Sequence, residues 1–294
     1  LPVPAVSGGA VETLIEYLID ENEIKKVFDF TVITVDTELS IKKQKEYKHT
    51  NFVHINNKNK TLNKLYSYVY RLLKKVGIYI PYSLESIDVL KYLKVHKGDF
   101  DYFVYEAGPT TQLPLINKII DREKIITHLH WDGMGNKRIS KSFNYLLPVS
   151  NYIGNNWANS CHPCSNKIIT LSNCADISIF NKKMSKNDIK NMKKDLDISD
   201  KNFVILYIGR IVPEKGILEM LKGIEKSTIE NIEIVIIGSP NFGKKQCTKY
   251  EKQVLKFSKK MKKKTNWIGY VDKKDLYKYY SISNLLIMPS VFAE

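Results

Sequence analysis

Apolar and polar positions alternate along this chain in two rhythms. Short runs rich in β-branched and aromatic residues appear at FDFTVITV (28–35), NFVHI (51–55), DYFVYE (101–106), KIITHLH (124–130), YLLPVS (145–150) and KIITLS (167–172). Between most of them lie segments whose apolar residues recur at helical spacing, including VETLIEYLIDE (11–21), LNKLYSYVYRLLKKV (62–76) and LPLINKIID (113–121). Strands that alternate with amphipathic helices predict a parallel sheet covered by helices.

A polar, lysine-rich stretch, KKMSKNDIKNMKKDLDIS (182–199), separates this series from a second one. The second begins with FVILYIG, a helix over 217–226 and IEIVIIG (232–238). A basic helix near 250–261, the strand NWIGYV (266–271), a helix at 272–282 and LLIMPS (285–290) complete it. The expected architecture is α/β, two facing Rossmann-like domains over residues 1–180 and 181–294. Ligands of such sheets bind outside the C-terminal ends of the strands, and a cleft between two domains is the expected site. The chain opens at Leu1 in a loop and stops at VFAE after an apolar strand. An N-domain without its first strand and an incomplete C-domain are therefore expected.

Composition narrows the classes. With 43% hydrophobic residues the chain supports buried cores and is not a disordered segment. No apolar stretch approaches the ~20 residues of a spanning helix, and no signal peptide opens the chain. Four sparse cysteines suit a reducing cytoplasm. A net charge of +15 is compatible with nucleic acid, an anionic bilayer or an anionic substrate. The lysines are scattered over both halves without a readable nucleic-acid motif, and nucleic acid is not the expected partner. In EKQVLKFSKKMKKK (251–264) they read as a solvated helical face, with Val254, Leu255, Phe257 and Met261 on the other side. LNKLYSYVYRLLKKVGIYIPY (62–82) reads either as a core-facing helix with a solvated basic side or as a surface for an anionic bilayer.

Residues able to carry chemistry sit where strands end. In GRIVPEKG (209–216), Arg210 and Lys215 occupy the loop between an apolar strand and a helix. Backbone N–H groups and the helix dipole favour an anion there, and the guanidinium fork suits phosphate oxygens. The loop is neither a Walker loop nor GxGxxG. Gly8 and Gly9 run into the first helix and let backbone approach a ligand, or form a plain turn. His128 and His130, two apart on a strand, share a face and suit substrate contact; a structural histidine is the alternative for one of them. No further metal ligand is evident near them, and CHPC (161–164) lacks the second pair of a zinc ribbon. Gly238 and Gly269 mark two more strand exits, and Glu294 closes the chain.

These segments, in order, resemble the retaining glycosyltransferases of family 4, which have the GT-B fold. The resemblance rests on PVPAVSGGAVETLIEYL, ITHLH, LLPVSNYIGNNW, KIITLSNCADISIF and YIGRIVPEKGI, then VIIGSPNFG, NWIGYVDKKDLYKYYSISNLLIMPS and the final AE. NCAD departs from the family's usual Asn-Gly before the aspartate. The resemblance implies transfer of a sugar, with retention, from a UDP- or GDP-linked donor to a saccharide or polyprenyl-linked acceptor. It further implies a role in bacterial surface polysaccharide synthesis, at the inner face of the membrane. Gly8, Gly9, Arg210 and Lys215 would address the donor diphosphate, with cations in place of a metal and no cofactor. Gly238, Gly269, Tyr270 and Val271 would meet base and ribose. His130, with His128 as fallback, would contact the transferred sugar, and Glu294 would start a Glu-x7-Glu element. A sugar-nucleotide epimerase and an inactive binding module on the same fold are the alternatives; a basic nucleic-acid-binding protein is a more distant one.

Overall fold

The computed structural model describes residues 2–6, 9–55, 59–106, 108–133, 135–239 and 248–291. The chain forms two compact units, Leu1–Cys174 and Ala175–Glu294. That division falls ahead of the expected 180/181. The reason is local: the short helix at 177–180 packs on the helix at 276–282, with Phe180 edge-on to Tyr280.

In the first unit the order is α1 (Ala10–Lys25), β1 (Phe30–Thr34), α2 (Glu38–Gln44), β2 (Thr50–His54), α3 (Lys60–Lys75) and α4 (Leu84–Val95). It continues with β3 (Phe103–Tyr105), α5 (Leu113–Ile116), β4 (Ile125–Leu129), α6 (Lys137–Ser140), β5 (Tyr145–Pro148), α7 (Asn151–Ser160) and β6 (Lys167–Ile168). All six expected strands form. β1 and β2 pair with each other, β3-β4-β5-β6 form a second sheet, and every pairing is parallel. Leu113, Ile125, Leu129, Phe143, Leu146 and Trp157 make the centre of the core beside that second sheet. The residues before α1 are tied to the end of β1: the Val3 N–H donates to Thr34 Oγ1 (2.9 Å), and Gln44 Nε2 donates to the Val3 carbonyl (2.7 Å).

Helices α4 and α7 went unread in the apolar periodicity. Their local signal is a serine N-cap: Ser83 accepts from the Ser86 N–H, and Ser150 from the Ile153 N–H. Conversely, the helix expected over 113–121 shrinks to the single turn α5.

The second unit runs α8 (Ile177–Phe180), α9 (Lys186–Asp195), β7 (Phe203–Ile208), α10 (Ile217–Lys226), β8 (Ile232–Ile237), α11 (Lys249–Ser258), β9 (Lys264–Gly269), α12 (Leu276–Ile282) and β10 (Leu285–Leu286). Its sheet is parallel with order β10-β7-β8-β9. β8 is buried at every position, as its unbroken apolar run requires when helices cover both faces. Its one carboxylate, Glu233, accepts from the Ser199 N–H (3.0 Å) and from Asn202 Nδ2 (2.8 Å) at the N-terminal end of the sheet. The strand expected over 285–290 is only two residues long. Lysines 252, 256, 259 and 260 are exposed around α11, while Val254 is buried and Phe257 and Met261 pack on the core. Among the described residues, no helix is long and apolar enough to cross a membrane.

Candidate active site

In the second unit three strand exits lie side by side. The Gly209 N–H, just after β7, donates to the Ile237 carbonyl (3.0 Å), and the Gly238 N–H, just after β8, donates to the Gly269 carbonyl (2.7 Å). Gly238 has φ +140°, and a Cβ there would overlap the Gly209 carbonyl oxygen. The missing side chain thus serves the close approach of two strand ends. At Gly269, by contrast, the space around an added Cβ is open.

Arg210 follows in the same rim, exposed, with its carbonyl held by the Tyr207 hydroxyl (2.8 Å). Burial pushes the Tyr207 phenol well up, so it stays protonated and donates. Ile211 is wholly buried and anchors the loop beneath Arg210. Pro213–Lys215 form a tight 3-10 turn, and Gly216, at φ +60°, starts α10. A Cβ at Gly216 would overlap the Pro289 carbonyl oxygen. The Val291 N–H donates to the Glu214 carbonyl (3.1 Å), which brings the segment after β10 against this turn. Lys215, half-buried, lies in the turn itself. Tyr270 is exposed, whereas the Val271 side chain packs into the core and leaves only its backbone for a ligand. Arg210, Lys215, Gly238, Gly269 and Tyr270 are thus brought to one end of one sheet. Gly8 and Glu294 lie outside the described residues.

In the first unit β4 carries His128 in its strand and His130 just past its end. The two rings lie on one face as their spacing predicts, with centroids 4.1 Å apart. The residue that sequence reasoning missed is Glu106, one position beyond β3. The pairing Tyr105↔Thr127 sets it beside both rings. Glu106 Oε2 accepts from His128 Nδ1 (2.9 Å) and from His130 Nε2 (3.0 Å). Burial pushes the Glu106 carboxyl up, but hydrogen bonds and charge from the two histidines outweigh it and hold the group below the usual carboxylate range. The signal available in the sequence was a carboxylate ending DYFVYE, on the strand next to THLH.

Ligand atoms of Glu106, His128 and His130 all lie within 4.8 Å of one another, the only such group among the described residues. This corrects the expectation that no further ligand stands near the histidines. The triangle is already closed by its two hydrogen bonds. Cys161 is buried and hydrogen-bonds the Trp157 carbonyl (3.0 Å), while burial and Cys164 push its thiol up to about 12, an inert state.

Gly9 begins α1, and its carbonyl accepts both the N–H (3.0 Å) and the hydroxyl (2.8 Å) of Thr13. A cavity of about 460 Å³ is lined by Lys74 at the end of α3, Thr110, Thr111, Trp131 and Gly133. Trp131 directly follows His130, and Tyr70 of α3 hydrogen-bonds Thr111 Oγ1 (2.7 Å). Elsewhere α3 exposes Leu62, Leu65, Tyr68, Val69 and Leu72. At 100° per residue these span one continuous arc, and Lys64, Arg71 and Lys75 form the arc beside it.

Two Rossmann-like units, each with a parallel sheet and each with its candidate residues at strand exits, define the GT-B fold. A glycosyltransferase from Rickettsia africae is similar in structure, with a TM-score of 0.69 at 16% identity over 99% of this chain and 72% of that one. Alr3699/HepE from Anabaena, solved with UDP and glucose, gives 0.65 at 15% identity over 100% and 73%. In sequence, residues 188–294 match the family model of glycosyl transferases group 1. A lipopolysaccharide 1,2-N-acetylglucosaminetransferase from Salmonella typhimurium is 31% identical over 112 residues, which are 37% of this chain and 29% of that enzyme. Spore coat protein SA of Bacillus subtilis is 22% identical across the whole chain and 73% of its own length.

Proposed function

We propose that the chain transfers a sugar, with retention, from a nucleoside diphosphate donor to a saccharide or polyprenyl-linked acceptor in surface polysaccharide assembly. The observation that carries this reading is the rim of Gly209, Arg210, Gly238 and Gly269 at three adjacent strand exits, inside the segment that matches the family model. The second unit binds the donor. Arg210 and Lys215 grip its diphosphate. Gly238, Gly269, Tyr270 and the Val271 backbone meet base and ribose, and Glu294 addresses the sugar. His130, or His128 in its place, contacts the transferred sugar, and the first unit holds the acceptor.

As the nucleotide leaves, negative charge grows on its phosphate oxygens. Fixed cations that interact more strongly with that state lower the barrier without a metal. The exposed apolar arc of α3, flanked by lysine and arginine, suits a peripheral position on an anionic inner leaflet.

The test is calorimetric titration of the full chain with UDP, GDP and ADP in EDTA, beside the Arg210→Ala, Lys215→Ala double variant. One nucleotide is expected to bind saturably and the variant to lose it. Each lost charged contact is worth about 1.5–3 kcal/mol. Binding of none of the three, or equal binding by the variant, overturns the reading.

A further inference from the structure

Glu106 is assigned no role by the proposed reaction, yet among the described residues it is the one group that hydrogen-bonds both histidines. Its Oε2 receives His128 Nδ1 at 2.9 Å and His130 Nε2 at 3.0 Å, while Oε1 takes part in neither bond. The three side chains are well enclosed, with His128 and His130 only 6% and 5% exposed and Glu106 21%. An ionised carboxylate accepts hydrogen bonds and donates none. Both ring nitrogens that face it must therefore carry hydrogen. Because the two rings present different nitrogens, the carboxylate demands opposite tautomers of them. An imidazole free in water prefers hydrogen on Nε2, so the demand on His128 runs against its own preference. His128 Nε2 is correspondingly left as a buried lone pair without a partner among the described residues.

We propose that Glu106 is the positioning residue of the histidine pair: its carboxylate holds His128 as the Nδ1–H tautomer and His130 as the Nε2–H tautomer. In the neutral form of that ring His130 Nδ1 is a lone-pair acceptor. Resting on the reading that His130 meets the transferred sugar, a sugar hydroxyl then donates to it. The carboxylate also fixes the planes of both rings, as a hydrogen bond to the far nitrogen does wherever an imidazole has to be aimed.

The full chain, labelled with 15N in its histidine rings, tests this by long-range 15N–1H correlation, with His128→Gln and His130→Gln assigning the two spin systems. The wild type is expected to show one Nδ1–H and one Nε2–H ring. In Glu106→Gln the amide keeps the shape but offers an N–H to one ring, and that ring is expected to invert. In Glu106→Ala both rings are expected to relax towards Nε2–H. Two rings of the same tautomer in the wild type, or a pattern that survives both substitutions, overturns the proposal. So does a pattern that changes when EDTA is added, which would make the triangle a metal site. In donor turnover, Glu106→Gln is expected to lower kcat roughly 10- to 100-fold with little change in KM for the nucleotide sugar. An unchanged kcat overturns the positioning role. A wild type without turnover instead overturns the transferase reading, and the tautomer pattern still decides on Glu106.

Discussion

Gly238 stands so close to Gly209 that any side chain at position 238 would run into the Gly209 carbonyl oxygen. Its φ of +140° is also one that L-residues avoid. Gly238→Ala is therefore expected to separate the exits of β7 and β8, with a loss of about 1–3 kcal/mol from the backbone conformation alone and more from the overlap. Urea denaturation reads the loss directly. Nucleotide affinity should fall with it, because Arg210 is carried on the same loop.

Two glycines around α10 make a paired test. Gly216→Ala puts a Cβ into the Pro289 carbonyl at φ +60° and should destabilise. Gly223, exposed inside the helix, has nothing within 4 Å of an added Cβ. Gly223→Ala should stabilise by about 0.5–1 kcal/mol through helix propensity. Shifts of opposite sign in the denaturation midpoint are the expected result.

The exposed arc of α3 predicts vesicle binding. Leu65→Glu with Leu72→Glu removes two of its larger apolar side chains, each worth about 1.5–3 kcal/mol if buried in lipid. Sedimentation with phosphatidylglycerol vesicles should drop at least about tenfold. Arg71→Ala with Lys75→Ala should weaken it by about 1 kcal/mol per charge and reduce its salt dependence. Neutral vesicles should distinguish the two variant pairs, since only the leucine pair would matter there.

Acid stability should report on Glu106. Its carboxyl is lowered from 4.5 in the folded chain, so its contribution is fully present above that value and is lost as pH falls through the lowered one. Glu106→Gln cannot titrate. The thermal midpoint of the wild type should exceed that of the variant near neutral pH and converge on it in strong acid.

Much of this architecture was legible because its strands are runs of Val, Ile, Phe and Tyr bounded by polar turns, such as FVILYI and IEIVII. The parallel arrangement follows from the helices between them. Helix α4 was hidden because its apolar residues are irregularly spaced and its start depends on one serine. Pro114 lies in the first turn of α5, but the chain turns out of helix after Ile116 to bury Ile120, so periodicity over 113–121 misled. The histidine pair was legible from a spacing of two. Glu106 was not, since its partnership depends on the register of β3 against β4, across twenty-two residues of chain. The glycine rim was found, but for Gly238 the reason differs: its neighbour is another strand end.

The hydrogen bond between Tyr70 and Thr111 joins the helix that bears the exposed arc to the wall of the cavity beside His130. A surface and a cavity that meet at one hydrogen bond are coupled only if filling one of them moves that bond. Any such coupling is reciprocal: whatever factor a bilayer applies to occupancy of the cavity, an occupant applies to residence on the bilayer. Tyr70→Phe removes the bond, and vesicle affinities compared with and without an occupant read whether anything passes through it.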